Sequence, residues 1–131
     1  MQAAPRTHSE GYYGTLLPRA VAIARDNAFE YHQQTRQRVC LAPLDNLDLA
    51  KAYGNSKALA RGHAQFGVVH AEFLPIEAVE GSLGEEQIEI PPAQVIGIRV
   101  VRLLDAFDVV ESGLAIPRPG LTLRQPRSEL Y

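Results

Sequence analysis

The stretch Gln94–Leu104 (Gln-Val-Ile-Gly-Ile-Arg-Val-Val-Arg-Leu-Leu) constrains the fold more than any other part of the chain. It is rich in β-branched residues and follows the pair Pro91-Pro92, which can continue neither a ladder nor a helix. In an extended chain, side chains alternate between faces. Ile96, Ile98 and Val100 would share one face, with Val95, Arg99, Val101 and Leu103 on the other. Apart from Arg99 both faces are apolar, which predicts a central strand covered on both sides.

The remaining elements arrange themselves around that strand. Residues 1–14 contain Pro5, Gly11 and Gly14 without periodicity and read as an irregular N-terminal arm that carries Tyr12 and Tyr13. A long helix is predicted after Thr15 as N-cap, with Pro18 in its first turn, running to about Gln34. Leu17, Val21, Ala24, Ala28 and Tyr31 form its apolar stripe, and His32 complements the dipole near its C-terminus. Arg38–Ala42 reads as a short strand stopped by Pro43. Asp45 or Asn46 caps a helix that Gly54 ends, and Ser56 caps a second one over Lys57–Arg61 that Gly62 ends. The parity of apolar residues in His63–Leu74 changes at Val68-Val69 beside Gly67, which predicts a strand with a bulge there, closed by Pro75. Residues 76–86 read as a solvated loop and Glu85–Ile90 as a short strand. Asp105–Glu111 fits either a helical turn or a strand. Leu114–Ile116 and Leu121–Leu123 are short extended pieces, and 125–131 is a patternless C-terminal tail. The expected class is α+β: a long N-terminal helix on a mostly antiparallel sheet, with a two-helix insertion at 45–61.

At 131 residues, 46% hydrophobic and 21% charged, the chain reads as a single domain over 1–131. No apolar run approaches the ~20 residues that span a bilayer, and Met1–Glu10 has no signal-peptide core. The single Cys40 precludes an intramolecular disulfide and fits a reducing compartment, so the expected location is cytoplasmic. The net charge of −2 is unevenly spread: residues 62–98 hold six carboxylates and no Lys or Arg, between more basic ends. An acidic middle disfavours nucleic acid along that segment.

Leu49–Arg61 is the most motif-like stretch. It resembles the helix-turn-helix of bacterial regulators, with Ala50 and Gly54 four residues apart and Ser56 opening the second helix. The resemblance implies a winged-helix DNA-binding protein whose second helix offers Ser56, Lys57 and Arg61 to the major groove. His63, His70 and Glu72 form another constellation. Two imidazoles and a carboxylate on one strand face suit a divalent metal or an acid/base pair, and so a small metal-dependent enzyme. Phosphate loops, Gly-x-Gly-x-x-Gly and Gly-x-Ser-x-Gly do not occur. Cys40 in its apolar run reads as a buried hydrophobe, and Asp105, Asp108 and Glu111 as a solvated face.

The expectation that follows is binding without catalysis: a protein–protein interaction or structural subunit of a larger bacterial or phage assembly, without catalytic residues, cofactor or metal. Its contacts with a protein partner or with further copies of itself would come from Tyr12 and Tyr13 in one arm and Arg124, Arg127 and Tyr131 in the other. DNA binding by 45–62 and metal chemistry at His63, His70 and Glu72 are the two alternatives.

Overall fold

A computed structural model describes residues 5–111. The elements run β1 (Thr7–Leu16), α1 (Leu17–Asp26), α2 (Glu30–Thr35), β2 (Val39–Pro43), α3 (Leu47–Arg61), β3 (Gln65–Glu77), β4 (Val79–Glu80), β5 (Glu86–Ile90), a 3-10 helix (Pro92–Gly97), β6 (Arg99–Leu103) and β7 (Phe107–Asp108). The strands form one antiparallel sheet in the order β4-β5-β2-β1-β3-β6, with β7 also on β3. Mixed helix and antiparallel sheet agree with the α+β class.

The heart of the sheet is β1 paired with β3, not Gln94–Leu104. The expected spine divides into the 3-10 helix and the edge strand β6. Pro92 sits at the start of the 3-10 helix, where its fixed φ is suited and its missing N–H costs little. Val95 and Ile98 are buried whereas Ile96 is 77% exposed, so the run is amphipathic rather than covered on both sides. In β6 the pairing slips by one residue between His70 and Ala71 of the neighbouring strand, leaving Val101 as the extra residue. The bulge expected at Val68-Val69 is absent there, because β1 and β3 keep one register from Glu10↔Glu72 to Leu16↔Phe66. That strand is instead buried on both faces over Phe66–Val69 and runs past Pro75 to Glu77.

The expected N-terminal arm is the central strand β1. Its glycines are points of close approach rather than turns. A Cβ on Gly14 would lie 1.9 Å from the Ala50 carbonyl oxygen, and one on Gly11 would lie 2.8 Å from that of Ala42. Thr15 lies inside β1, so α1 starts at Leu17 without a side-chain cap. The long helix is two short ones. Asn27 takes the left-handed conformation (φ 52°), which Asn tolerates, and its Oδ1 accepts the Val100 N–H at 2.6 Å. The buried stripe is Ala20 and Ile23, one position from the one expected, and Val21 is exposed.

The two-helix insertion is also replaced. Leu47–Arg61 is one continuous helix, capped by Asn46, whose side chain accepts the Leu49 N–H, and ended by left-handed Gly62. Gly54 lies mid-helix and packs on β3, where a Cβ would come within 3.0 Å of the Phe66 ring. The four-residue spacing of Ala50 and Gly54 lets this helix approach β1 and β3. Buried Asn55 accepts the Val110 N–H at 2.8 Å and so anchors the segment after β7. The acidic loop contains the β4–β5 hairpin, and 105–111 contributes β7.

Sequence neighbours fall into different cores, as alternation in strands requires. Tyr13, Leu41, Val69 and Ile88 pack under α1, α2 and the 3-10 helix, with Ile23, Phe29, Val95 and Ile98. Ala42 and Val68 pack under α3, with Leu49, Ala50 and Tyr53. The 114–116, 121–123 and 125–131 segments lie outside the described residues.

Candidate functional site

Strands β1 and β2 pair only at Gly11↔Pro43 and Tyr12↔Ala42. Beyond that point a cleft of about 280 Å³ lies beside both strands, lined by Tyr13, His32, Arg36, Gln37, Arg38, Cys40, Tyr53, Lys57 and Pro92. β1 supplies Tyr13, β2 supplies Cys40, and α3 brings Tyr53 and Lys57 from one side of the sheet. The end of α2 and the residues after it bring His32 and Arg36–Arg38 from the other.

Lys57 is 5% exposed, and its Nζ donates to the Gly14 carbonyl oxygen at 2.8 Å. The same ammonium lies 4.3 Å from the centre of the Tyr13 ring, an arrangement worth ~2 kcal/mol when desolvated. Tyr13 is buried, with its hydroxyl 3.1 Å from His32 Nε2 and its ring edge-on to those of Phe29 and His32. Tyr53 is held by Gln87, whose Nε2 donates to its hydroxyl at 2.8 Å.

His32 is 3% exposed, and burial, with Lys57 and Arg19 nearby, pulls its pKa down to about 4. The ring is therefore neutral at pH 7. Its Nδ1 is buried without a hydrogen-bond partner, and so is Oε1 of Gln37. Both residues line the cleft, and each of these atoms is of a kind that folded proteins ordinarily satisfy.

The backbone turns sharply here. Arg36 takes the left-handed conformation at φ 57°, unusual for a branchless non-glycine side chain, and its N–H closes on the His32 carbonyl oxygen. Arg36 makes no ion pair among the described residues, whereas Arg38 lies 3.8 Å from Glu89 and donates to Cys40 Sγ at 3.4 Å. Arg36, Arg38 and Lys57 give the cleft three cations, and none of the nine described lining residues is a carboxylate. The arrangement favours a negatively charged occupant.

Of the residues expected to carry function, Lys57 and Tyr13 enter this cleft. Tyr12 is half-buried against the ring of His70, 5.5 Å between centroids. Ser56 and Arg61 lie on the single helix α3 and Lys57 points into the fold, so the turn and the groove-reading face of a helix-turn-helix are absent. His63 precedes β3 in a loop, His70 Nε2 lies 2.8 Å from a Glu10 carboxylate oxygen, and Glu72 pairs with Arg99. These three do not converge, and no group of three His, Cys, Asp or Glu able to hold a metal occurs among the described residues. Arg124, Arg127 and Tyr131 lie outside the described residues. Sequence reasoning missed His32, Arg36 and Gln37, which it placed on a long helix or in a connection. The one available signal was Arg36-Gln37-Arg38, two cations flanking an amide directly before a strand.

No described helix is long and apolar enough to cross a membrane. Comparison with protein-family models, curated proteins and solved structures finds no match to this chain.

Proposed function

We propose that this chain acts by binding rather than catalysis, as an interaction subunit of a larger bacterial or phage assembly, and that its β1–β2 cleft receives an anionic group. One observation carries the reading. Among the described residues, three cationic side chains and no carboxylate line the cleft, although acidic residues outnumber basic ones over the whole sequence. The charge of the described lining is opposite in sign to the net charge of the chain, which favours anions at that point. Neutral His32 and the immobilised Lys57 suit recognition, since both are held by fixed partners.

Titration of the purified chain with inorganic phosphate, followed by backbone amide NMR at low and high salt, tests the cleft. Saturable shifts at Gln37 and Arg38 that weaken with salt and in an Arg36→Ala/Arg38→Ala variant are expected. Absence of saturable shifts at either salt overturns anion binding. For the assembly, light scattering is expected to give a discrete oligomer indifferent to duplex DNA. A monomer that shifts onto DNA at low salt overturns the interaction-subunit reading.

A further inference from the structure

The cleft has a neighbour. A second cavity of about 230 Å³ lies between α1 and α2, and among the described lining residues His32 alone borders both. The bond with the Tyr13 hydroxyl is the one hydrogen bond on its ring, since Nδ1 is buried without a partner among the described residues. The two sides differ in charge. His32 shares the cleft with Tyr13 of β1, Lys57 and Tyr53 of α3, Cys40 of β2, and Arg36 and Arg38 between α2 and β2. It shares the second cavity with Arg19 and Asp26 of α1 and with Glu30 and Tyr31 of α2.

We propose that His32 is a proton-operated latch between the two spaces: neutral, its ring stays on Tyr13 and separates them; protonated, it leaves Tyr13 and turns towards Asp26 and Glu30. In its present place the ring would carry its charge buried, with Lys57 and Arg19 both opposing the proton. Asp26 and Glu30 are exposed, so a ring turned towards them regains water and meets opposite charge. Arg19 borders that cavity as well, but its guanidinium lies over the Tyr31 ring, 4.4 Å from its centre, and two carboxylates outnumber it. Asp26 already carries Arg25, which leaves Glu30 the larger share in drawing the ring. A ring that swings out leaves the Tyr13 hydroxyl without its partner and joins the cleft to the second cavity. Acid thereby changes the shape of the site, a histidine switch acting through two side-chain positions. None of this depends on what the cleft binds.

An NMR titration of the full chain from neutral pH down through the His32 midpoint of about 4 tests the latch. The rings of Tyr13 and His32, 5.5 Å apart between centroids, should show a mutual Overhauser contact at pH 7. That contact is expected to vanish as the imidazole protonates, with the Tyr13 resonances moving at the same midpoint. Ala58 and Phe66, in a separate core cluster, should keep their native shifts throughout. In His32→Gln the Tyr13 resonances should stay still over the same range. Glu30→Gln alters only an exposed side chain, so it keeps the fold; the His32 midpoint should then fall by about half a pH unit. A Tyr13–His32 contact that survives protonation overturns the inference, as does a His32 midpoint unchanged in Glu30→Gln. Tyr13 resonances that still move in His32→Gln overturn it too. Loss of the contact only together with the native signals of Ala58 and Phe66 is global acid unfolding, and rejects a latch.

Discussion

Acid should weaken this fold through His32 before its carboxylates begin to titrate. The folded pKa of about 4 lies below the ordinary value of 6.5, so the unfolded chain takes up the proton first as pH falls. The stabilising contribution is therefore complete above pH 6.5 and is lost as pH falls towards 4. A separation of about 2.5 units corresponds to ~3 kcal/mol in full, of which ~2 kcal/mol is lost between pH 7.5 and 5. That is a large fraction of the ~5–15 kcal/mol that holds a typical domain together. Urea unfolding at half-unit steps from pH 7.5 to 5 measures it, with His32→Gln as the comparison. Glutamine cannot titrate and can still bond the Tyr13 hydroxyl. The wild-type chain should lose ~2 kcal/mol more than the variant over that range. Parallel curves for the two proteins would refute the reasoning, since other histidines contribute equally to both. An oxyanion in the cleft should raise the His32 pKa, which its ring resonances report directly.

Three further outcomes follow from the packing. Gly14→Ala places a Cβ 1.9 Å from a helix carbonyl oxygen, so α3 must shift and stability should fall by about 3 kcal/mol or more, whereas Gly97→Ala meets nothing within 4 Å and should lie within ~0.5 kcal/mol of wild type in thermal unfolding. Lys57→Met removes one of the two cations that depress His32, so NMR titration should find its pKa raised, though still below 6.5 because burial remains the larger cause; phosphate affinity should fall at least tenfold. Glu86 is held down at about 2, chiefly by its hydrogen bond to Arg6 and also by His8. Its contribution is present above the ordinary carboxylate range and lost as pH falls towards 2, so Glu86→Gln should flatten the acid limb of the stability curve below pH 4.5.

The cleft shows how much of the site local chemistry leaves unwritten. Lys57 reads equally well as a groove-facing cation on a recognition helix and as a buried one. Only the close seating of α3 on β1 places its Nζ at the Gly14 carbonyl oxygen. His32 looked like a helix-terminal charge, yet the break at Asn27 turns it inward against Tyr13. That break depends on the bond from the Val100 N–H to Asn27 Oδ1, between residues 73 apart in sequence. The periodicity of Leu17–Tyr31 carries no trace of it.

What the sequence determined alone is what backbone stereochemistry and short-range hydrogen bonds decide. Pro91-Pro92 stops the preceding strand, Gly62 takes the left-handed position after α3, Asn46 caps that helix, and the apolar run ending at Pro43 forms β2. The mixture of helix and antiparallel strand follows from such signals. The position of each strand in the sheet does not, because a β-branched run has the same local preference at an edge as at the centre. The tertiary structure put Thr7–Leu16 at the centre, where Gly11 and Gly14 are required by neighbouring carbonyls rather than by turns. It also opened β1 from β2 and brought Arg36, Arg38 and Lys57 together with neutral His32 and with Gln37 around the gap. Side chains from four separated stretches meet there only because long-range packing outweighs what each stretch prefers by itself.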